Sequence, residues 1–187
     1  MRIALFYYDG FAEFEIVLAG LIFQRDHEIL AVALEDREYR SEEQQRFLVD
    51  QTLRDSDVES IDLLIVPGGD PGDLVENEEL KVFVQNLLSS GKKVAGICGG
   101  ALLLAGLGVL DGKRCTGMDR GEAPEIPEFR YFEATEFSND YVVVDGNLIT
   151  GQGQAYIEFA VELARQMGLV KSDQEYQDGV NWFKNVR

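Results

Sequence analysis

The sequence has few of the residues that bind metals or cross-link chains: two cysteines, one histidine and four prolines among 187 residues. Two cysteines cannot build a disulfide framework, and neither lies in a CxxC or cysteine–histidine cluster with the spacing of metal ligands. The sequence therefore predicts reduced thiols in a cytoplasmic protein that binds no metal.

Basic residues are also scarce, with 17 lysines and arginines against 34 aspartates and glutamates, for a formal net charge of −17. That charge repels phosphate backbones and anionic lipid, and the basic residues form no stripe that could offset it. No run of eighteen apolar residues could span a bilayer, and the start "MRIALFYYDG" is interrupted too soon for a secretory signal. We expect neither nucleic acid nor a membrane as a partner, and we interpret the acidity as a solvated surface.

Short apolar runs alternate with longer amphipathic segments along the chain. This pattern is typical of an α/β fold with a mostly parallel sheet, and the order of the segments predicts a three-layer sandwich. The length requires no second domain, so we expect a single domain over residues 1–187. Strands are predicted at 2–8, 27–36, 62–70, 92–98 and, as a hairpin around Asp145-Gly146, at 141–152; helices are predicted at 9–26, 77–91, 99–110 and 154–168; a polar excursion with room for a short hairpin spans 38–61.

Cys98 lies between glycines where a predicted strand meets a helix, at the carboxyl end of the strand, where ligands bind in such sheets. Residues 96–100 read Gly-Ile-Cys-Gly-Gly, which fits the G-x-nucleophile-x-G elbow with cysteine in place of serine. A helix N-terminus at this turn is expected to lower the pKa of the thiol, and its N–H groups can receive an oxyanion. The alternative is a small apolar cysteine at a tight turn whose glycines serve only close packing.

Glu15 is the second candidate, because its helical neighbours at i−4, i+3 and i+7 are the apolar residues Phe11, Leu18 and Ile22. The carboxylate is therefore predicted to point inward, whereas Glu13 falls on the solvated side of the same helix. A buried carboxylate tends to have a raised pKa and to mark a functional site. The alternative is a glutamate whose side chain follows the edge of the core and whose carboxylate stays in water.

Four segments occur in a fixed order: "AEFEIV", "LLIVPGGD", "AGICGGALLLAGLGVLDGKRCTG" and "VVVDGNLITGQGQAYIEFAVELA". Together they resemble the ThiJ/PfpI superfamily, which includes the human protein associated with familial parkinsonism. The resemblance covers residues 2–168 and leaves a polar tail or helix at 169–187. It implies a flavodoxin-like sandwich of the class I glutamine amidotransferase type, usually a homodimer. Carried over by motif, Cys98 is the nucleophile, Glu15 its protonated partner and general acid/base, and the N–H groups of Gly69 and Gly99 are the oxyanion donors.

The sequence departs from the family pattern in one respect, because many members place a histidine directly after the cysteine or shortly beyond the next strand. Here those positions are Gly99 and, after "KRCTG", Met118, Asp119 and Arg120. The one histidine, His27, falls at the start of the second predicted strand, where we expect a surface or capping role. A Cys-His-acid protease or amidotransferase mechanism therefore lacks its base. An acid from the loop 119–122, Asp119 or Glu122, is a weak candidate for a third member of the site.

Three hypotheses follow for function. The first is an enzyme of the glyoxalase or deglycase type, in which Cys98 adds to a reactive carbonyl and Glu15 moves the proton, with no cofactor. The second is a stress-linked thiol sensor, in which Cys98 is oxidised to a sulfinate. The third is a non-catalytic binding domain. Cys115 is interpreted as a buried packing residue, with a resolving thiol for an oxidised Cys98 as the alternative.

Overall fold

A seven-stranded sheet forms the centre of the protein, whose computed structural model describes residues 1–118 and 127–186. Across the sheet the strands run in the order β10-β11-β7-β6-β1-β2-β5, and every neighbouring pair is parallel except β10 with β11. The bounds are β1 Arg2–Phe6, β2 Glu28–Ala33, β3 Tyr39–Arg40, β4 Arg46–Phe47, β5 Gln51–Thr52, β6 Leu63–Val66, β7 Lys93–Ile97, β8 Arg114–Cys115, β9 Glu136–Phe137, β10 Val142–Asp145 and β11 Leu148–Gly151.

The central strands are apolar on both faces because helices cover both sides of a parallel sheet. All four residues of β6 are buried, and so are the last four residues of β1 and of β7. The antiparallel strands β10 and β11 are joined at Asp145-Gly146, where Gly146 has a φ of 61° that glycine adopts without strain. This hairpin and the mostly parallel α/β sheet confirm the predicted fold.

Five α-helices are present in the described part of the chain: α1 Phe14–Phe23, α2 Glu78–Ser89, α3 Gly99–Gly106, α4 Tyr156–Gln166 and α5 Asp173–Lys184. Helix α1 packs against α4, which also contacts α5, while α2 and α3 lie against β7. Helix α5 begins where the Ser172 hydroxyl accepts the N–H of Glu175, and it lies within the predicted polar tail. No helix within residues 1–118 and 127–186 is both long and apolar enough to cross a membrane.

Helix α1 begins later than predicted, at Phe14 instead of residue 9. Gly10 has a φ of 81°, and Phe11 forms a β-bridge with Gly69, so the chain turns before the helix can start. The outward face of α1 is also more apolar than a solvated helix requires, because Phe14, Val17 and Leu21 are each about half exposed. We call these three residues the α1 stripe.

The predicted polar excursion contains a small antiparallel hairpin formed by β3 and β4. It lies across the start of α1, where the Gly10 N–H donates to the Arg40 carbonyl at 2.8 Å and the Glu42 N–H donates to the Phe11 carbonyl at 2.8 Å. The carboxylate of Glu43 accepts the N–H groups of Glu13 and Phe14 and so binds two of the free donors at the start of the helix. The hairpin therefore positions the first turn of α1 beside the carboxyl ends of the central strands.

Candidate active site

Cys98 lies at the turn between β7 and α3 in a strained backbone conformation. Its φ of 54° and ψ of −120° are rarely adopted by a residue with a side chain, as expected for a nucleophile elbow. The turn is anchored on both sides, because the Cys98 N–H donates to the Gly151 carbonyl at 2.8 Å and its carbonyl accepts the Ala101 N–H at 3.1 Å. The sulfur is thereby held at the carboxyl edge of the sheet.

Gly99 and Gly100, directly after Cys98, allow the backbone of the elbow to contact the backbone at the end of β6 and in the turn after it. A β-carbon on Gly99 would lie 1.9 Å from the Gly69 carbonyl oxygen, and one on Gly100 would lie 2.2 Å from the Val66 carbonyl oxygen. Neither position has room for a side chain, because the obstructing atoms are backbone. The glycines therefore serve close packing, and this packing brings the turn after β6 against the elbow.

Glu15 points inward from the first turn of α1, as predicted, and is only 2% exposed. Its Oε2 accepts the N–H of Gly68 at 2.8 Å, and its carboxylate also accepts a hydrogen bond from the thiol of Cys98. The alternative with the carboxylate in water is wrong. By contrast, Glu13 is half-buried and accepts a hydrogen bond from the Gln45 amide at 3.3 Å.

Burial determines the protonation of both groups. It raises the pKa of Glu15 from 4.5 to about 7, although the Gly68 N–H and the Cys98 thiol partly counteract the shift. Burial, followed by the charge of Glu15, raises the pKa of Cys98 from 9.0 to about 12, and this outweighs the hydrogen bond from the Gly99 N–H that lowers it. The expectation of a lowered thiol pKa is therefore wrong, since the helix N-terminus acts on a sulfur that is desolvated and faces a carboxylate.

Tyr8 holds the turn whose N–H binds Glu15, and it was not among the residues predicted from the sequence. Its hydroxyl donates to the Gly68 carbonyl at 2.5 Å and lies 3.1 Å from the Pro67 carbonyl. The N–H that binds Glu15 is that of Gly68, which belongs to the same peptide group as the Pro67 carbonyl. Tyr8 is 3% exposed, and burial raises the pKa of its hydroxyl well above the ordinary value. The sequence offers only a weak signal for it, a tyrosine at the end of an apolar predicted strand, because a buried hydroxyl needs a partner.

Gly153, just beyond β11, forms another wall of the site. A β-carbon there would lie 2.6 Å from Oε1 of Glu15 and 3.2 Å from Sγ of Cys98. The segment is fixed by the buried Gln152, whose amide lies 3.1 Å from the Asn139 carbonyl and accepts a hydrogen bond from Gln154. Gly153 therefore lies directly against the thiol–carboxylate pair.

A cavity of about 1050 Å³ opens over Cys98 and Glu15. Gly69 and Gly99, the expected oxyanion donors, both line it. The Gly99 N–H is bonded to the sulfur of Cys98, whereas the Gly69 N–H donates to no acceptor within residues 1–118 and 127–186. Apolar side chains supply part of the wall, namely Ala12, Phe14, Pro71, Leu102 and Met118.

The remaining candidates lie elsewhere or outside the described residues. His27 lies beside the N-terminal amine of Met1, before β2 begins and so at the edge of the sheet opposite Cys98. Cys115 is fully buried on β8, in agreement with a packing role. The loop 119–122, with Asp119 and Glu122, is outside the described residues. Within the described residues, no three histidine, cysteine, aspartate or glutamate side chains gather as they would around a metal ion.

Comparison with known proteins agrees with this arrangement. The model of the DJ-1/PfpI family matches residues 1–166. The chain belongs to the DJ-1/PfpI family. This is the family that the four sequence segments resemble, and its match ends where α4 ends.

Two relatives and one solved structure show what the chain is similar to. A deglycase of Thermococcus kodakarensis is 26% identical over 154 residues, which are 81% of this chain and 90% of that protein. The isonitrile hydratase of Pseudomonas putida is 35% identical over 109 residues, 57% of this chain, and the match spans 46% of that protein's length. A DJ-1 superfamily protein of Agrobacterium tumefaciens superposes with a TM-score of 0.82 at 26% identity, covering all of both chains.

Proposed function

We propose that this DJ-1/PfpI protein is an enzyme for small reactive carbonyl compounds, of the glyoxalase or deglycase type, that uses Cys98 as its nucleophile and needs no cofactor. The observation that carries the proposal is the hydrogen bond between a partly buried thiol and a buried carboxylate of pKa about 7, at the floor of an open cavity. A carboxyl group with a pKa near the operating pH is suited to take up and return a proton. The names of the deglycase relatives support the same class of substrate.

The proposed reaction begins when the sulfur of Cys98 attacks the aldehyde carbon of a 2-oxoaldehyde. The S–C bond forms, the thiol proton passes to the ionised Glu15, and the carbonyl electron pair becomes an oxyanion. The N–H of Gly69 is free to donate a hydrogen bond to that oxyanion, while the Gly99 N–H donates to the sulfur. Glu15 returns the thiol proton to the oxyanion, which gives a hemithioacetal, and is ionised again. It then removes the hydrogen of the former aldehyde carbon as a proton and delivers it to the neighbouring carbon, while the hemithioacetal hydroxyl proton passes to the former ketone oxygen. Water hydrolyses the resulting thioester to a 2-hydroxy acid and releases the Cys98 thiol. The sequence consumes one water and requires no external oxidant or reductant.

The raised pKa of Cys98 favours this proposal over the thiol sensor. Peroxide reacts with the thiolate, so a thiol with a pKa of about 12 is oxidised slowly at neutral pH. The proposed reaction needs no thiolate beforehand, because Glu15 accepts the thiol proton while the sulfur attacks. The absence of a histidine from the sequence after Cys98 also weighs against the protease and amidotransferase mechanisms.

Turnover of methylglyoxal to lactate tests the proposal directly. We expect the wild-type protein to form lactate without added metal or thiol, and both Cys98→Ser and Glu15→Gln to lower kcat/KM by about 10³-fold or more. Cys115→Ser is the matched control, because it removes the other thiol outside the cavity. Absence of lactate formation by the folded wild-type protein, or full activity of Cys98→Ser, would contradict the proposal.

The proposal includes a homodimer in the cytoplasm. The α1 stripe exposes three large apolar side chains next to the ring of Tyr156, which contacts Phe14 edge-on at 5.8 Å. Contiguous apolar surface of this kind is usually covered, and a second copy of the chain matches it without an additional partner. We expect Val17→Asp to convert a dimer to a monomer in analytical ultracentrifugation. A wild-type monomer at micromolar concentration would contradict the dimer.

A further inference from the structure

The β3–β4 hairpin brings to the Cys98 cavity a carboxylate that the proposed reaction does not use. Glu42 lines the cavity and is exposed, and its own N–H is bonded to the Phe11 carbonyl at 2.8 Å. Within residues 1–118 and 127–186, no lysine, arginine or histidine forms an ion pair with Glu42. Its charge therefore faces the space that a substrate must enter.

One other carboxylate of the cavity wall is offset by an arginine. Asp9 is bonded to the guanidinium of Arg37 at 2.8 Å and so contributes little net charge to the cavity. Glu128 also lines the cavity but, like Glu42, forms no ion pair among the described residues.

Asp70 resembles Glu42 in having no ion-pair partner among the described residues, although it accepts the N–H of Gly72 at 3.0 Å. Arg40 is the basic side chain that lines the same cavity, and it lies 3.5 Å from the Gln44 carbonyl. Among the described residues that line the cavity, three carboxylates without an ion pair thus stand against one guanidinium, in addition to Glu15 at the floor.

The charge of Glu42 reaches the reacting atoms. It contributes to the raised pKa of Cys98 and also to that of Glu15, and the groups that shift these two pKa values include no basic side chain. The sulfur is therefore approached through a negative potential. Such a potential attracts positively charged ligands and repels negatively charged ones, and the effect is stronger in a cavity than on an open surface.

We propose that Glu42, assisted by Asp70, makes the Cys98 cavity selective for electrophiles that carry an ammonium or guanidinium group over those that carry an acidic group. This inference rests on the proposed function, since it assumes that Cys98 meets its substrate in this cavity. It adds the charge class of the substrate, which the reaction itself leaves open. Glu42 acts here as a specificity-determining residue, because its carboxylate faces the substrate and exchanges no proton with it.

Three methanethiosulfonate reagents test the proposal without turnover. They carry a trimethylammonium, an uncharged methyl or a sulfonate group, and each forms a mixed disulfide with Cys98 and releases methanesulfinate. Rates of modification of Cys98 are measured by peptide mapping at low salt and divided by the rates for free 2-mercaptoethanol. We expect the normalised ammonium-to-sulfonate ratio to be about tenfold or more, and to fall as salt is added.

Charge variants then show whether the cavity or the whole protein causes the preference. We expect Glu42→Gln to lower the ratio about threefold or more, Asp70→Asn to lower it further, and Arg40→Gln to raise it. Asp26→Asn is the matched control, because it removes the same charge from an exposed residue before β2, at the opposite edge of the sheet.

Each remaining outcome overturns the proposal. A normalised ratio near one, or a ratio that Glu42→Gln and Asp26→Asn lower equally, means that the cavity does not select by charge. Methylglyoxal turnover together with such a result would overturn this inference alone and leave the proposed function intact. Failure of all three reagents to modify Cys98 in the folded protein would overturn this inference, and absence of methylglyoxal turnover in addition would overturn both.

Discussion

The carboxylate of Glu15 is hydrogen-bonded to the thiol of Cys98, and burial raises the pKa of both groups. The two residues come from different elements, the first turn of α1 and the turn after β7, and they meet at the carboxyl edge of one parallel sheet. At neutral pH the sulfur therefore keeps its proton, while the carboxyl group is near its own midpoint. The pair is arranged for proton transfer within the site and not for a permanent thiolate.

The pH dependence of turnover follows from Glu15. The carboxyl group must be ionised to accept the thiol proton, so we expect kcat/KM for methylglyoxal to rise about tenfold per pH unit below pH 7 and to level off above it. Glu42→Gln is expected to move the midpoint to lower pH, because its charge raises the pKa of Glu15. Glu13→Gln, directly before α1, is the control and should leave the midpoint unchanged. A midpoint near 8.5, the pKa of a free cysteine, would assign the ionisation to the thiol instead.

The free energy of unfolding should also depend on the ionisation of Glu15, but it should fall as the pH rises. A raised pKa in the folded state means that ionisation of Glu15 opposes folding, so the stability falls from pH 4.5 upward, and the loss is complete above about pH 7. Glu15→Gln removes this dependence. We expect its unfolding free energy relative to the wild type to be higher at pH 8 than at pH 4 by roughly 3 kcal/mol, from the linkage of pKa to free energy. Urea unfolding at both pH values measures the difference, and an equal difference at the two pH values would contradict it.

Gly153 should tolerate no side chain if Glu15 and Cys98 are to keep their contact. The β-carbon of Gly153→Ala would meet Oε1 of Glu15 at 2.6 Å, so the carboxylate must move away from the sulfur. We expect kcat to fall about tenfold to a hundredfold, because displaced catalytic groups lose most of their effect. Gly179→Ala in α5 is the control: its β-carbon makes an ordinary 3.4 Å contact with Val161, and the change should stabilise the helix by about 0.5–1 kcal/mol. Unchanged kcat in Gly153→Ala would mean that the pair does not act as a unit.

Tyr8 is expected to act as a positioning residue. Tyr8→Phe removes the hydroxyl that holds the turn carrying the Gly68 N–H, at a cost of about 1–2 kcal/mol in stability. Because that N–H binds Glu15, we expect a lower kcat with little change in KM. Tyr39→Phe is the matched control, since Tyr39 is equally buried but its hydroxyl bonds to the backbone of Glu35. Equal losses of kcat in the two variants would reduce the role of Tyr8 to general stability.

The sequence predicts most of the fold because the relevant signals are local. Alternating apolar runs define the central strands, Asp145-Gly146 defines the hairpin, and the glycines around Cys98 require a tight turn with close backbone contact. The inward direction of Glu15 also follows from its helical neighbours. The start of α1 was predicted too early, because Phe11 pairs with Gly69, a residue distant in the sequence.

The electrostatics of the site could not be predicted in the same way. The pKa of Cys98 depends on how deeply the sulfur is buried and on the carboxylate beside it, and neither quantity is present in the elbow motif. The contribution of Glu42 depends on a hairpin that folds over the start of α1. Tyr8 was missed because its partners are backbone carbonyls, which carry no residue-specific signal.

The hairpin contributes Arg40, Ser41, Glu42 and Gln44 to the cavity, whereas the turns at Gly69 and Gly99 touch backbone to backbone. The residues proposed to react and those proposed to select the substrate thus lie in separate segments of the chain. The turns at Gly69 and Gly99 have no room for a methyl group, whereas the hairpin faces solvent. Libraries that randomise positions 40, 42 and 44 can therefore alter which molecules are accepted, while the backbone contacts beneath them and the Glu43 contact with the start of α1 are left in place.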